Sequence, residues 1–233
     1  MNEQGGLERV RSGELLYTDE VGHDACGIGG VAAKDGKPSA EVLRKALTAL
    51  KCMEHRGGVC GDAGDGAGLT AVIPQPFFKE EAKRLRFDNA RHLRPEDTLA
   101  LGVVFFLDTD PARIEQARGV IREVLGGGPL QLLGFRPVPT HDDALPKKAR
   151  GVRPGAFEHV LLQVQGDVLA AERWLFLRRL ELRERFKAEE LRVYVPSLSA
   201  RLVSYKGLLT SPQLEAFYPD LTNPAFETGL AIF

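Results

Sequence analysis

The sequence predicts an α+β layered domain, and three observations lead there. Strand-like runs and helical periodicities mix along the chain, without the strict alternation of a doubly wound sheet. The 233 residues, 43% of them hydrophobic, suffice for one sizeable domain with a buried core. A glycine-rich stretch, 57–68, reads as a tight loop between the elements around it.

Taken in order, residues 1–22 show no steady apolar period and read as a polar leader. Residues 27–33, GIGGVAA, are small and apolar and predict a buried strand. Asp35-Gly36 is a turn signal. Ser39 is placed to cap a helix whose Val42, Leu43, Ala46, Leu47, Leu50 and Met53 recur at helical spacing. Cys52 closes that apolar helix and is expected to be buried. Strand-like runs follow at 69–73, 99–107, 159–164, 191–195 and 201–205. Helical patterns lie at 76–85, 111–125 and 168–187. The last carries Leu169, Ala170, Trp174, Leu177 and Leu180 on one face, the expected core-facing stripe, with Arg and Glu elsewhere. Residues 141–156 read as an exposed linker between structural units. Residues 229–233 read as a strand that stops without a polar tail, which predicts that the natural chain continues.

The formal net charge is -1, so composition makes no case for nucleic acid or an anionic membrane as partner. No run of 18 apolar residues exists to span a membrane. The first 25 residues are polar and lack the apolar stretch of a secretory signal. The three cysteines, Cys26, Cys52 and Cys60, fit a reducing compartment with free thiols. Together these features predict a cytoplasmic protein.

Cys26 stands between the polar leader and the small-residue strand, in His23-Asp24-Ala25-Cys26-Gly27-Ile28-Gly29. If cleavage after Ala25 exposes it, its own α-amine becomes a general base beside the thiol. An α-amine titrates near about 8, so it takes the thiol proton and later returns it to a leaving amine. That is a self-contained nucleophile-and-base pair. Gly27 and Gly29 leave room for substrate close to the backbone. The competing reading is a small buried hydrophobe at the start of a strand.

The blocks HDACGIG, Cys52-Met53-Glu54-His55-Arg56-Gly57 and Gly64-Asp65-Gly66-Ala67-Gly68 occur in that order. Ser197-Leu198-Ser199, Tyr205-Lys206-Gly207, Pro212-Gln213-Leu214 and Phe217-Tyr218-Pro219-Asp220-Leu221 follow them. The set strongly resembles the amino-terminal class II glutamine amidotransferase (glutaminase) domain of the glutamate synthase large chain. The resemblance runs from about Leu16 to the last residue. It implies an N-terminal-nucleophile hydrolase type fold, a four-layer αββα sandwich, incomplete at its C-terminus in this chain. It also implies a leader, residues 1–25, removed to expose Cys26, and an amidotransferase domain over 26–233. Cys26 would release ammonia from L-glutamine through a thioester, for glutamate formation from 2-oxoglutarate. Arg56 would help to organise the substrate pocket.

By the same resemblance, the oxyanion donors and the substrate clamp come from an Arg-Phe-Ser-Thr-Asn-type block beyond Phe233, and an Asn-Gly dipeptide is absent here. No cofactor is implied for this segment. FMN and an iron–sulfur cluster are implied for the full-length enzyme, and the partners are the remaining synthase domains or subunit. The sequence departs from the family between Arg56-Gly57 and Gly64, where the usual stretch is about two residues longer.

Rival readings stay open. Arg56 also fits a helix-terminal arginine satisfying the last carbonyls. His55 reads as a packed or capping residue. Cys52, His55 and Cys60 have a spacing that some zinc sites tolerate, but no fourth ligand lies near, so no metal is expected. The glycine loop lacks the Gly-Lys-Ser/Thr ending of a phosphate cradle. At the level of function the rivals are a non-catalytic, partner-binding remnant and another class II amidotransferase.

Overall fold

The computed structural model describes residues 27–54, 59–60, 63–64 and 66–233. In chain order the elements are β1 (Gly30–Ala32), α1 (Ala40–Cys52), β2 (Val59–Cys60), β3 (Ala63–Gly64), β4 (Ala67–Val72), α2 (Gln75–Arg84), β5 (Leu99–Phe106) and α3 (Pro111–Leu125). Then come β6 (Leu130–Pro137), α4 (Lys147–Gly151), β7 (Ala156–Val164), α5 (Val168–Ala188), β8 (Val193–Ser199), β9 (Leu202–Gly207), α6 (Ser211–Phe217) and β10 (Leu230–Ile232).

Two four-stranded antiparallel sheets organise the chain. The first has the order β1-β10-β4-β9 and the second β6-β7-β5-β8. The final strand, β10, is therefore central to its sheet: Ala231 pairs with Val31 on one side and Ala71 on the other. Strand β5, LALGVVFF, is buried at every position, as a strand covered on both faces must be. Its Leu99, Leu101, Val103 and Phe105 face a core shared with the first sheet, α1, α2 and α6. Its Ala100, Val104 and Phe106 face a second core beneath α3 and α5. The two helices are capped by Asp110, which accepts from Ala112 N at 2.9 Å, and Asp167, which accepts from Ala170 N at 2.7 Å.

The chain passes from the second sheet to the first between β8 and β9, and α5 clamps that passage. Glu172 accepts from Ser199 Oγ at 2.7 Å and from Ala200 N at 2.6 Å. Charge-assisted hydrogen bonds of this kind are worth about 1.5–3 kcal/mol each. Glu172→Ala should therefore lower stability by about 2 kcal/mol, measured by urea denaturation, with Glu172→Gln closer to wild type.

Most of the predicted elements are present, and several expectations are corrected. β1 is not buried: Gly30 and Ala32 are exposed because β1 is an edge strand. Ser39 does occupy the N-cap position of α1, but its side chain makes no capping bond; its backbone instead pairs with Thr228. Cys52 is exposed, because it sits on the outer side of the last turn of α1. Residues 141–156 are no exposed linker: Leu145 and Ala149 enter the main core, and Arg153 bonds Asp142 and Thr140. Within the glycine-rich stretch, β2 and β3 form a two-residue ladder, and Ala67 and Gly68 already belong to β4.

The most consequential correction concerns α5. Its core-facing residues are Ala171, Leu175, Leu182 and Phe186. Leu169, Leu177 and Leu180 of the expected stripe point outward and are exposed, while Trp174 packs at the edge of the second core. β6 and α6 escaped the sequence reading. β6 breaks its alternation at a bulge between Leu132 and Gly134, and α6 is only seven residues long.

Candidate functional site

β1 and β10 continue their pairing one residue beyond the ladder: Gly29 N donates to Phe233 O at 2.8 Å, and Phe233 N to Gly29 O at 2.9 Å. This anchors Gly27 and Ile28 at the wall of a cavity of about 860 Å³. Other walls come from Gly66–Thr70 at the start of β4 and from Ser204–Leu209 at the end of β9. Phe105 of β5, Phe157 of β7 and Tyr194 of β8 bring the second sheet to the same cavity. The residues 145–154, expected to be a linker, supply Leu145, Ala149, Val152 and Arg153 to its lining.

Glycine is required here by close backbone approach. A Cβ on Gly64 would lie 2.4 Å from Leu209 O, so β3 can sit against the chain leaving β9 only without a side chain. Gly66 holds φ +150, in the region that disfavours side chains.

The polar groups on the walls are few. Thr70 Oγ1 and Ser204 Oγ share a hydrogen bond of 2.9 Å across β4 and β9. Lys206 Nζ donates to Tyr194 OH at 3.2 Å and lies 5.4 Å from the centre of that ring. Arg153 donates to Asp142 Oδ1 at 2.9 Å and stacks over Phe157 at 5.1 Å. Tyr218 OH donates to the Lys206 carbonyl at 2.9 Å, which fixes the course of β9 along the wall. Burial raises the Tyr218 phenol above its ordinary range, so it acts as a neutral donor. A mostly apolar cavity with a few fixed polar groups is the usual form of a small-molecule site.

Behind the wall lies a buried ionic network. Arg136 of β6 is 1% exposed. Its two terminal nitrogens donate to the two Asp220 oxygens at 2.8 Å each, and its Nε donates to Glu81 of α2 at 2.7 Å. Tyr205 OH donates to Asp220 at 2.8 Å. Burial and then the Asp220 charge push the Tyr205 phenol well above its ordinary range. Arg136 also approaches His159 Nδ1 at 3.3 Å. Burial, and then the Arg136 charge, push His159 well below its ordinary range, so the imidazole is neutral and accepts at Nδ1. Tyr205 faces the cavity, and the network pins it from behind.

Cys26, Arg56 and His55 lie outside the described residues. Of the sequence blocks, Gly66-Ala67-Gly68, Tyr205-Lys206-Gly207 and Phe217-Tyr218 meet around the cavity. Arg136, Glu81 and Arg153 were missed, since a single charged residue in a strand, helix or loop carries no motif. Among the described residues, no three His, Cys, Asp or Glu side chains are grouped to hold a metal. Among them too, no helix is long and apolar enough to cross a membrane.

The family described as class II glutamine amidotransferases matches residues 26–233. The chain is 37% identical over 225 residues to the glutamate synthase [NADPH] large chain of Azospirillum brasilense, covering 93% of this chain and 14% of that protein. It is 39% identical over 218 residues to ferredoxin-dependent glutamate synthase 1, chloroplastic/mitochondrial, of Arabidopsis thaliana, covering 90% of this chain and 13% of that protein. The glutamate synthase [NADPH] large chain of Bacillus subtilis is 34% identical over 224 residues, covering 93% and 14%. The chain thus spans about 14% of the length of such curated relatives.

Proposed function

The chain belongs to the class II glutamine amidotransferases, and from that premise we propose that it is the glutaminase part of a glutamate synthase, with Cys26 as the nucleophile. The observation that carries this reading is the cavity whose wall begins at Gly27, one peptide unit from Cys26. The matched segment also begins at Cys26 itself.

In this reading the leader 1–25 is removed. The Cys26 thiol gives its proton to the freed α-amine, and the thiolate attacks the side-chain amide carbon of glutamine. The tetrahedral intermediate collapses, and the C–N bond breaks as the ammonium returns that proton to departing ammonia. Water then attacks the thioester, and glutamate and the free thiol are released. Arg56 helps to organise the pocket. The oxyanion donors and the carboxylate clamp come from the polypeptide that follows in the family. FMN and the iron–sulfur cluster belong to the remaining synthase polypeptide, which also receives the ammonia for addition to 2-oxoglutarate. The compartment is the cytoplasm. The completed domain is a four-layer αββα sandwich; its support is the pair of antiparallel sheets, with α3 and α5 outside the second and α1 against β1 and β10.

The test uses the full natural polypeptide. Intact mass should show the loss of residues 1–25, and a glutamine-like electrophile, diazo-oxo-norleucine, should label Cys26 in proportion to lost ammonia release. Exposed Cys52 will react with general alkylating agents, so a Cys52→Ser variant is the control. Excess glutamine should protect Cys26 and not Cys52. Labelling that glutamine does not suppress, or an active enzyme that keeps its leader, would overturn the assignment.

A further inference from the structure

α3 and α5 cover the same face of the second sheet, yet their outer surfaces differ. The outward residues of α3, among them Glu115, Gln116, Arg122 and Glu123, are polar. α5 has a second apolar stripe: Leu169 is 52% exposed, Phe176 62%, Leu177 55% and Leu180 39%. A helix that needs only to coat a sheet has no use for four large apolar side chains in water. Phe176 and Leu177, with Glu172 and Arg173, line a shallow depression on this surface.

The charges around the stripe point to its occupant. Arg173 is exposed and has no ion-pair partner among the described residues. Eleven positions further, close to three helical turns and so on the same face, stands exposed Glu184. Its partner is its own neighbour Arg183, at 3.0 Å on the surface, a contact of little worth. If two α5 helices lie antiparallel about a two-fold axis midway between Arg178 and Arg179, each Leu177 meets a Leu180. The same axis sets each Arg173 opposite a Glu184. Of the other exposed stripe positions, Ala170 falls opposite Lys187 and Leu169 opposite Ala188, while Phe176 falls opposite the less exposed Glu181, which pairs with Arg178. A self-complementary patch with apolar centre and opposite charges at its ends is what an isologous contact requires.

We propose that the outer face of α5 is a self-association surface, at which a second copy of this chain docks antiparallel through Phe176, Leu177 and Leu180, with Arg173–Glu184 pairs at both ends. A contact along one helix lies at the small end of stable interfaces, below about 1,200 Å², so the dimer is concentration-dependent.

Sedimentation velocity over a concentration series tests it. The wild-type chain should shift reversibly from monomer to dimer, and Phe176→Glu should hold it monomeric. Because these side chains are exposed, the thermal midpoint of Phe176→Glu should equal that of wild type, which separates lost docking from lost folding. The orientation is tested by charge reversal: Arg173→Glu and Glu184→Arg should each weaken the dimer about tenfold, because the two-fold axis makes each substitution set like charges together at both ends. The double variant should restore it. A chain monomeric at every concentration overturns the proposal and leaves the face to a different partner. So does a dimer indifferent to Phe176→Glu, or a double variant no tighter than the single ones.

Discussion

Cys26→Ala is expected to abolish ammonia release from glutamine, with a fall in kcat of at least about 10⁴-fold. The magnitude follows from the unity of the proposed site. Nucleophile and base are one residue, so a single substitution removes the bond-forming atom and leaves the α-amine no thiol to deprotonate. What survives is the positioning supplied by the rest of the pocket. The measurement is coupled ammonia detection in the full natural polypeptide, with Cys52→Ala as the companion that should retain activity. Cys26→Ala should also keep its leader, since the thiol that would attack the Ala25 carbonyl is gone. A variant that still releases ammonia would mean that another group does the chemistry, and a wild-type polypeptide that releases none would mean that the chain is a non-catalytic member of the fold.

The second large effect is structural. Arg136→Leu should destabilise the chain by about 3–5 kcal/mol, because it strands a buried carboxylate at Asp220 without its counter-charge. Asp220→Leu should cost a similar amount, since it strands the Arg136 guanidinium. The double replacement should cost much less than the sum, because neither charge then remains. Urea denaturation of the four proteins closes the cycle; additive losses would show that the two charges do not act as a pair.

The same network gives a pH dependence with a defined sign. The Arg84 hydrogen bond, and then that of Arg136 against the opposing effect of burial, hold Glu81 down at about 2, from an ordinary 4.5. A depressed carboxylate contributes stability that is fully present above the unfolded value and is lost as pH falls through the folded one. Stability should therefore decline from about pH 4.5 toward pH 2. The loss should be smaller in Glu81→Gln, and solvent screening at this half-buried group keeps the difference modest.

Much of this was legible from residues alone. The periods of α2, α3 and β5, the strand at 230–232 and the family blocks around the cavity all follow from local pattern, because side-chain spacing repeats with backbone geometry. The proposal of Cys26 as nucleophile is likewise a local reading, since the polar segment, the cysteine and the glycines are adjacent in sequence. The chemistry proposed for that position rests on covalent neighbours, which a sequence states outright.

Other features were beyond its reach. Arg136, Glu81, Tyr205 and Asp220 come from β6, α2, β9 and the turn after α6, and no periodicity links them. The segment 141–156 looks polar and loop-like, yet Leu145 and Ala149 are drawn into the core by the elements on either side. α5 is the sharpest case. Its sequence offers two apolar stripes, and periodicity can count both without ranking them. Only the position of the second sheet decides that Ala171, Leu175, Leu182 and Phe186 are buried and that Leu169, Phe176, Leu177 and Leu180 are left outside. Most of the elements and the family were legible in the sequence, and Cys26 could be proposed from it, because these depend on local spacing and covalent order. The tertiary structure alone decided which faces meet, which charges are buried together and which apolar side chains remain in water, because burial is a property of the partner surface as much as of the residue.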